Sequence, residues 1–463
     1  MIHLTKGVIQ MSVYVNRILN MKKIKAIGFD MDYTLVRYNT ENFERLTYSL
    51  VKENLVKVLG YPKEILDLEF DFQLVQQGLV IDKLRGNLLH VSRFGKVKKA
   101  QHGLGPISFE EQNEAYANRV IDLSDESFQS LDTAFSVSNG ILYAQIVDLK
   151  EKGVEVPRYD LLADHIKEAI DICHSDGSLK SQVKANMSEY IIQDEKLVAQ
   201  LEMYKKCGKK LIIITNSEYY YCKDLLEYTI DPFLKEHKSW RDLFEITITL
   251  SSKPRFFHFK NHYLRIDPET ALMTNHEGPI TPGVYQGGNA GKLQEDLGLK
   301  GSEILYLGDH IYGDVLSLKK TFGWRTALVV EPLEDEIEAI KKSEPIQKKI
   351  DSLMQEKEVL EDNLDDLEMS KYRGESYDKD EVSKIYAKID KVNNSISKEL
   401  ENYRKCFNPH WGELMRAGQE ESRFADQIEK YACVYMGRVS DLLENSPRTY
   451  FRPIKRVLPH ELI

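Results

Sequence analysis

Cysteine is scarce and unpatterned in this chain. Five cysteines (Cys173, Cys207, Cys222, Cys406 and Cys433) lie far apart, and no Cys-x-x-Cys occurs. That argues against a disulfide framework or a zinc cage and favours a reducing compartment. Long apolar runs are missing as well. Leu211–Ile214 and Ala327–Val330 are among the longest, far short of the roughly 20 residues a bilayer-spanning helix needs. The stretch Met1–Ile24 is interrupted by Asn16, Arg17 and Asn20 and has no small-residue cleavage site, so no signal peptide is expected. Positive charge is not in excess: 63 Lys and Arg against 73 Asp and Glu give a formal charge of −10, which disfavours broad nucleic-acid binding. A local cation can still hold a small anion against such a distant net charge. Internal repeats and low-complexity tracts are absent.

What is present is an ordinary globular composition, 42% hydrophobic and 29% charged, over 463 residues. That length exceeds one compact core, so two or three domains are expected. Four short β-branched apolar runs stand out: Ile24–Phe29, Lys210–Ile214, Glu303–Leu307 and Arg325–Val330. Helical patterns lie between the later ones, Gly291–Leu297 closed by Gly298 and Val315–Phe322 closed by Gly323. Buried strands alternating with helices predict an α/β, Rossmann-like parallel sheet, whose ligands bind beyond the carboxyl ends of the strands.

About 180 residues separate the first run from the second, too many for one crossover. An inserted α+β cap over 71–200 is expected, with strand-like Leu79–Asp82 and Leu88–Val91 and helix-like Asp160–His174 and Leu179–Ile192. The core then comprises 1–70 and 201–332. Residues 333–463 are read as a helical C-terminal extension whose final segment packs on the core. Its stripes are Ile346, Ile350, Leu353, Leu360, Leu364, Leu367 and Val382, Ile385, Ile389, Val392, Ile396, Tyr403. Such a helical hairpin suits a structural arm or a homo-oligomer contact.

The strongest chemical signal is Phe29-Asp30-Met31-Asp32-Tyr33-Thr34-Leu35-Val36. An apolar strand ending in Asp-x-Asp-x-Thr puts two carboxylates at one strand-to-loop junction. A phosphate monoester is a dianion, so an anionic attacker needs a cation to offset repulsion. With Mg²⁺ present, Asp30 can attack phosphorus, and Asp32 can protonate the leaving alkoxide and then deprotonate water. This run resembles the first motif of the haloacid dehalogenase superfamily of phosphatases. The resemblance implies that Asp32 also lends its backbone carbonyl to the metal.

Thr215-Asn216-Ser217 follows the second run and offers a hydroxyl and consecutive amides for phosphate oxygens. It resembles the second superfamily motif. Gly287-Gly288-Asn289-Ala290-Gly291-Lys292 opens a helix with a lysine that opposes the helix dipole. Lys292 is matched to the third-motif lysine, expected to pair with the nucleophile and the transferred group. Leu307-Gly308-Asp309-His310-Ile311-Tyr312-Gly313-Asp314 supplies hard oxygen ligands that suit Mg²⁺. Asp309 is read as a metal ligand beside Asp30 and Asp32, and Asp314 as orienting bound water or Lys292.

Further runs are similar to the cytosolic purine 5′-nucleotidases that prefer IMP and GMP. They are Val15-Asn16-Arg17, Gly86-Asn87-Leu88-Leu89, Gly177-Ser178-Leu179-Lys180, Gly323-Trp324-Arg325-Thr326 and Leu458-Pro459-His460-Glu461. The resemblance implies hydrolysis of purine nucleoside monophosphates in the cytoplasm, without membrane or nucleic-acid partners. It also implies nucleoside contacts by Phe135, Lys167, Asp171 and His174. On spacing alone the last three read as a solvated charged helix face rather than as a binding set. Lys167 stands where the family has Arg, losing a bidentate fork, and Asp132 stands where it has Asn. Two other readings compete: a nucleoside phosphotransferase sharing the aspartyl-phosphate, and a non-enzymatic nucleotide-sensing scaffold. The intact set of Asp30, Asp32, Thr215, Lys292 and Asp309 argues against the scaffold.

Overall fold

The computed structural model describes residues 12–375 and 378–461. Met1–Met11, the first part of the Met1–Ile24 stretch read for a signal peptide, therefore lies outside the described residues. The chain divides into two units: one runs through Glu331 and resumes at Met415, and the other is Pro332–Leu414.

The first unit is built on a ten-stranded sheet. Its centre is the fully buried strand Ala26–Phe29, whose Ala-Ile-Gly-Phe sequence leaves no polar side chain to satisfy. Lys210–Ile214 and Ile304–Gly308 pair with it in parallel on either side. Ile246–Thr249 and Gly283–Gly287 extend the sheet one way, and Arg325–Val329 and Val434–Met436 the other, all parallel. Val13–Val15 closes one edge, and Tyr263–Ile266 with Met273–His276 the other, as antiparallel strands. This is the expected α/β class. The β-branched runs at 24–29, 210–214, 303–307 and 325–330 form strands because they are buried on both faces, where continuous apolarity rather than alternation is the signature.

The C-terminal segment differs from a piece resting on the core: Val434–Met436 is a strand of the main sheet itself, paired with Ala327–Val329. The 333–463 extension is thus divided, its helical part ending at Leu414. That helical unit pairs Leu333–Tyr372 with Lys379–Arg404. Leu364, Val382, Ile385 and Ile389 form its apolar seam, packed by Leu360 and Leu367.

The inserted region carries a five-stranded antiparallel sheet with spatial order 105–106, 97–102, 87–91, 79–82 and 128–131. Helices Val137–Glu151 and Tyr159–Ser175 accompany it. The helix Thr40–Lys57, assigned above to the core, packs with these helices instead: the Tyr48 hydroxyl donates to Gln145 Oε1 at 2.6 Å and Asn54 Nδ2 to the Ala169 carbonyl at 3.3 Å. The chain leaves and re-enters the core through Arg37–Tyr38 and Ile191–Ile192, which pair antiparallel. The insertion therefore begins about 30 residues before position 71. The helix is amphipathic toward the cap, a preference its sequence alone does not reveal.

Candidate active site

Phe29 pairs with Ile213 on one side and Leu307 on the other. That register brings Asp30, Thr215 and Asp309 out together at the carboxyl edge of the sheet. Asp30, Asp309 and Asp314 converge there, with one carboxylate oxygen from each within 4.8 Å of the others. All three are at most 9% exposed. Burial first, then the nearby Asp314 and Asp32 charges, pushes the Asp30 carboxyl up to about 7. Burial and the Asp30 and Asp314 charges hold Asp309 well above the ordinary carboxylate range. Gly308 allows this crowding: a Cβ there would lie 2.4 Å from the Asp314 carboxyl carbon.

Such a cluster calls for positive charge. Two carboxylates coordinated to one Mg²⁺ at ~2.0–2.1 Å stand no more than about 4.2 Å apart, so the trio needs only a small contraction to hold this ion. A hard, oxygen-seeking divalent cation fits the donor set.

The lysine that supplies fixed charge is Lys253. Its Nζ lies 2.8 Å from Asp30 Oδ1 and 2.8 Å from Asp314 Oδ1, and donates to the Tyr306 hydroxyl at 3.0 Å. Burial opposes its charge, but Asp30 and Asp314 outweigh burial and hold it protonated well above the ordinary lysine range. Lys292, expected in this place, is elsewhere. It pairs with Asp296 at 2.9 Å and lines a groove of about 690 Å³ with His258, Lys260 and His262. The reason is sheet order. Lys292 follows Gly283–Gly287, three strands from Ala26–Phe29, roughly 14 Å at ~4.8 Å per strand, beyond a lysine's reach. Lys253 follows the nearer strand Ile246–Thr249 and is carried back by its loop. The Leu250 and Ser251 amides donate to the Ser217 and Thr215 carbonyls at 2.9 and 3.0 Å. Leu250 and Ser252 adopt left-handed φ of 41° and 59° to make that return. The alternation Ile-Thr-Ile-Thr before Leu-Ser-Ser-Lys-Pro was the available signal.

Thr215, Asn216 and Ser217 serve partly to hold this loop. Asn216 Oδ1 accepts from the Lys253 amide at 2.6 Å, and Ser251 Oγ donates to the Thr215 carbonyl at 2.9 Å. Ser217 Oγ donates to Asp32 Oδ2 at 2.6 Å, and the Tyr38 hydroxyl to Asp32 Oδ1 at 2.6 Å. Asp32 thus faces away from the lysine, toward the cap.

On that side Tyr33, at φ 54°, sends its ring onto Phe135 edge to face, centroids 4.4 Å apart. His174 stands 6.5 Å from Phe135. Burial and the Lys180 charge lower the His174 pKa, against Asp32 and Asp171. Lys180, to which no role was given, has its amine 5.7 Å from the Tyr221 ring centroid and pairs with Glu218. Lys167 and Asp171 are exposed on the Tyr159–Ser175 helix. Asp132 is buried; its side chain accepts from Ser130 Oγ, and its carbonyl accepts from Gln77 Nε2.

The sequence profile of the 5′-nucleotidase family matches residues 13–463. The chain belongs to the 5′-nucleotidase family. Membership makes it a phosphoric monoester hydrolase acting on nucleotide phosphate esters. A 5′-nucleotidase domain-containing protein of Dictyostelium discoideum is 24% identical over 460 residues, covering 97% of this chain and 74% of that one. Among solved structures, a HAD phosphatase of Thermococcus onnurineus is 16% identical, covering 66% of this chain and 87% of its own, with a TM-score of 0.27. A haloacid dehalogenase-like hydrolase of Bacillus subtilis bound to magnesium is 12% identical, covering 66% and 88%, with a TM-score of 0.24. No helix among the described residues is long and apolar enough to cross a membrane.

Proposed function

We propose that this 5′-nucleotidase hydrolyses purine nucleoside 5′-monophosphates, IMP and GMP among them, through an aspartyl-phosphate on Asp30 with Mg²⁺ as cofactor. The observation that carries the chemistry is the Asp30–Lys253–Asp314 bridge beside Asp309, with Asp32 held separately by Tyr38 and Ser217. Two carboxylates with such different partners suit two roles.

Asp30 Oδ1 is engaged by Lys253 and by the Met31 amide at 2.7 Å, which leaves Oδ2 to attack phosphorus. The Asp30–phosphorus bond forms as the bond to O5′ breaks. Asp32 gives its proton to O5′, and the nucleoside departs. Asp32 then takes a proton from water, whose oxygen displaces Asp30 and releases inorganic phosphate. Lys253 offsets the charge gathering on the transferred group throughout. The Asp30, Asp309 and Asp314 carboxylates and, by the family resemblance, the Asp32 carbonyl would hold Mg²⁺, which would supply electrostatic stabilisation of the phosphoryl oxygens.

Phe135 stacks on the base, a contact available to any purine, while His174, Asp171 and Lys167 recognise the nucleoside. A cytoplasmic setting is in keeping with five cysteines that are all free thiols. The test is phosphate release from a panel of purine and pyrimidine monophosphates with and without Mg²⁺. Purine-selective, metal-dependent turnover is expected. Equal rates on all bases would overturn the substrate assignment.

A further inference from the structure

Phe135 sits on a single turn, Ala134–Ser136, immediately before the helix Val137–Glu151. Stacking energy depends on where that ring is held, so whatever fixes the turn governs base recognition. Its local bonds are short-range: Ser136 Oγ donates to the Thr133 carbonyl at 2.5 Å, and the Thr133 amide to Ser136 Oγ at 3.3 Å. These close the turn but do not tie it to the catalytic loop.

The tie comes from Glu44. This residue is fully buried, and its Oε2 accepts from the Ser138 backbone amide at 2.7 Å, three residues beyond Phe135. Ser138 is in the first turn of its helix, where backbone donors lack intrahelical partners and a carboxylate is favoured. The neighbouring Phe43 packs on Phe135 with centroids 5.7 Å apart, and Tyr33 meets Phe135 at 4.4 Å and Phe43 at 6.2 Å. Residues 43 and 44 therefore grip the Phe135 turn from two sides, and Tyr33, adjacent to Asp32, completes the contact. A helix-packing role alone would be met by the second bond between the same helices, Tyr48 to Gln145.

We infer that Glu44 is a positioning residue for base recognition, holding Phe135 at a fixed distance from the Asp30–Asp32 loop through the Ser138 amide. The inference rests on the purine nucleotidase reading given above.

The test compares Glu44→Ala, Glu44→Gln, Tyr48→Phe and Phe135→Ala on IMP and on p-nitrophenyl phosphate, which has no base. Leaving the buried Ser138 amide without its acceptor corresponds to roughly a tenfold change. Glu44→Ala should raise KM for IMP about tenfold while p-nitrophenyl phosphate hydrolysis changes much less. Glu44→Gln, which keeps an acceptor oxygen, should restore most of the loss. Tyr48→Phe should lower Tm without moving KM. Amide exchange across 134–138 should quicken at least tenfold in Glu44→Ala and not in Tyr48→Phe. A purine-selective loss in Phe135→Ala without one in Glu44→Ala, or unchanged exchange at 134–138, overturns the Glu44 assignment and leaves the substrate reading standing. No purine-selective loss in Phe135→Ala overturns both.

Discussion

Replacing Lys253 with Met removes a charge while nearly preserving length, and it separates this lysine from Lys292 directly. The Lys253 side chain is 4% exposed, and its amine lies 2.8 Å from the Asp30 and Asp314 carboxylates, whose side chains are 12% and 1% exposed. Each contact is worth about 6 kcal/mol of gross attraction at an effective dielectric of ~20. Only the part that grows as phosphorus is attacked enters the rate, and losing one preorganised charge of this kind costs ~10²–10³ in kcat. Lys253→Met should therefore slow turnover of IMP and of p-nitrophenyl phosphate alike, because the lysine serves the phosphoryl group common to both. Breaking a buried pair also destabilises, by about 3–5 kcal/mol, so the assay belongs well below the variant's own Tm. Lys292 is 31% exposed and pairs with Asp296 one helical turn away, an arrangement worth about 0.3–0.5 kcal/mol. Lys292→Met should leave kcat within about twofold. Comparable losses in the two variants, or a Lys253→Met enzyme within tenfold of wild type, would refute the assignment.

Asp30→Asn should abolish turnover with folding retained, since the amide is a poor nucleophile; residual activity within tenfold would sink the covalent route. EDTA should remove activity and Mg²⁺ restore it, whereas Ca²⁺, larger and more loosely coordinated, should support little turnover; full activity after metal stripping would contradict the roles of Asp30 and Asp309. Burial raises the Glu44 carboxyl from 4.5 to about 7, despite the opposing Ser138 hydrogen bond. The folded state then binds the extra proton, so this group's contribution to stability falls as pH rises from about 4.5 to 7, by at most ~3 kcal/mol. Glu44→Gln should flatten that decline in denaturant titrations at pH 5 and pH 8, and parallel profiles for the two proteins would contradict it.

The sheet and its acidic centre were legible because buried parallel strands advertise themselves as unbroken apolar runs, and Asp30, Thr215 and Asp309 each follow one directly. Lys253 was hidden for the converse reason. Its strand, Ile246–Thr249, alternates Ile with Thr although all four residues are buried. The hydroxyl of Thr249 is satisfied by the Tyr285 carbonyl at 3.1 Å, a partner that sequence does not disclose. Glycine-rich 287–292 drew attention with a conformational need that is real but local: Gly288 has φ 79°, and a Cβ there would collide with the Tyr263 ring. The cap boundary was misplaced because the helix Thr40–Lys57 is connected to the core in sequence yet packs its buried face on Val137–Glu151.

The strand Val434–Met436 has a consequence for the timing of folding. It pairs with Val13–Val15 on one side and Ala327–Val329 on the other, so neither contact can form until Val434–Met436 itself has been made. At about 5–20 residues per second, the ~420 residues between Val13 and Val434 take roughly 20–80 s to emerge. Over the last ~105 of those residues, about 5–20 s at the same rate, Arg325–Val329 presents an unpaired apolar edge, the kind of surface on which nascent chains associate. The Pro332–Leu414 helices, whose contacts are local in sequence, can form during the wait. Val434–Met436, the last strand of the ten-stranded sheet to be synthesised, therefore completes it, and chains halted before this strand carry an intact Asp30 motif in a domain with one edge open.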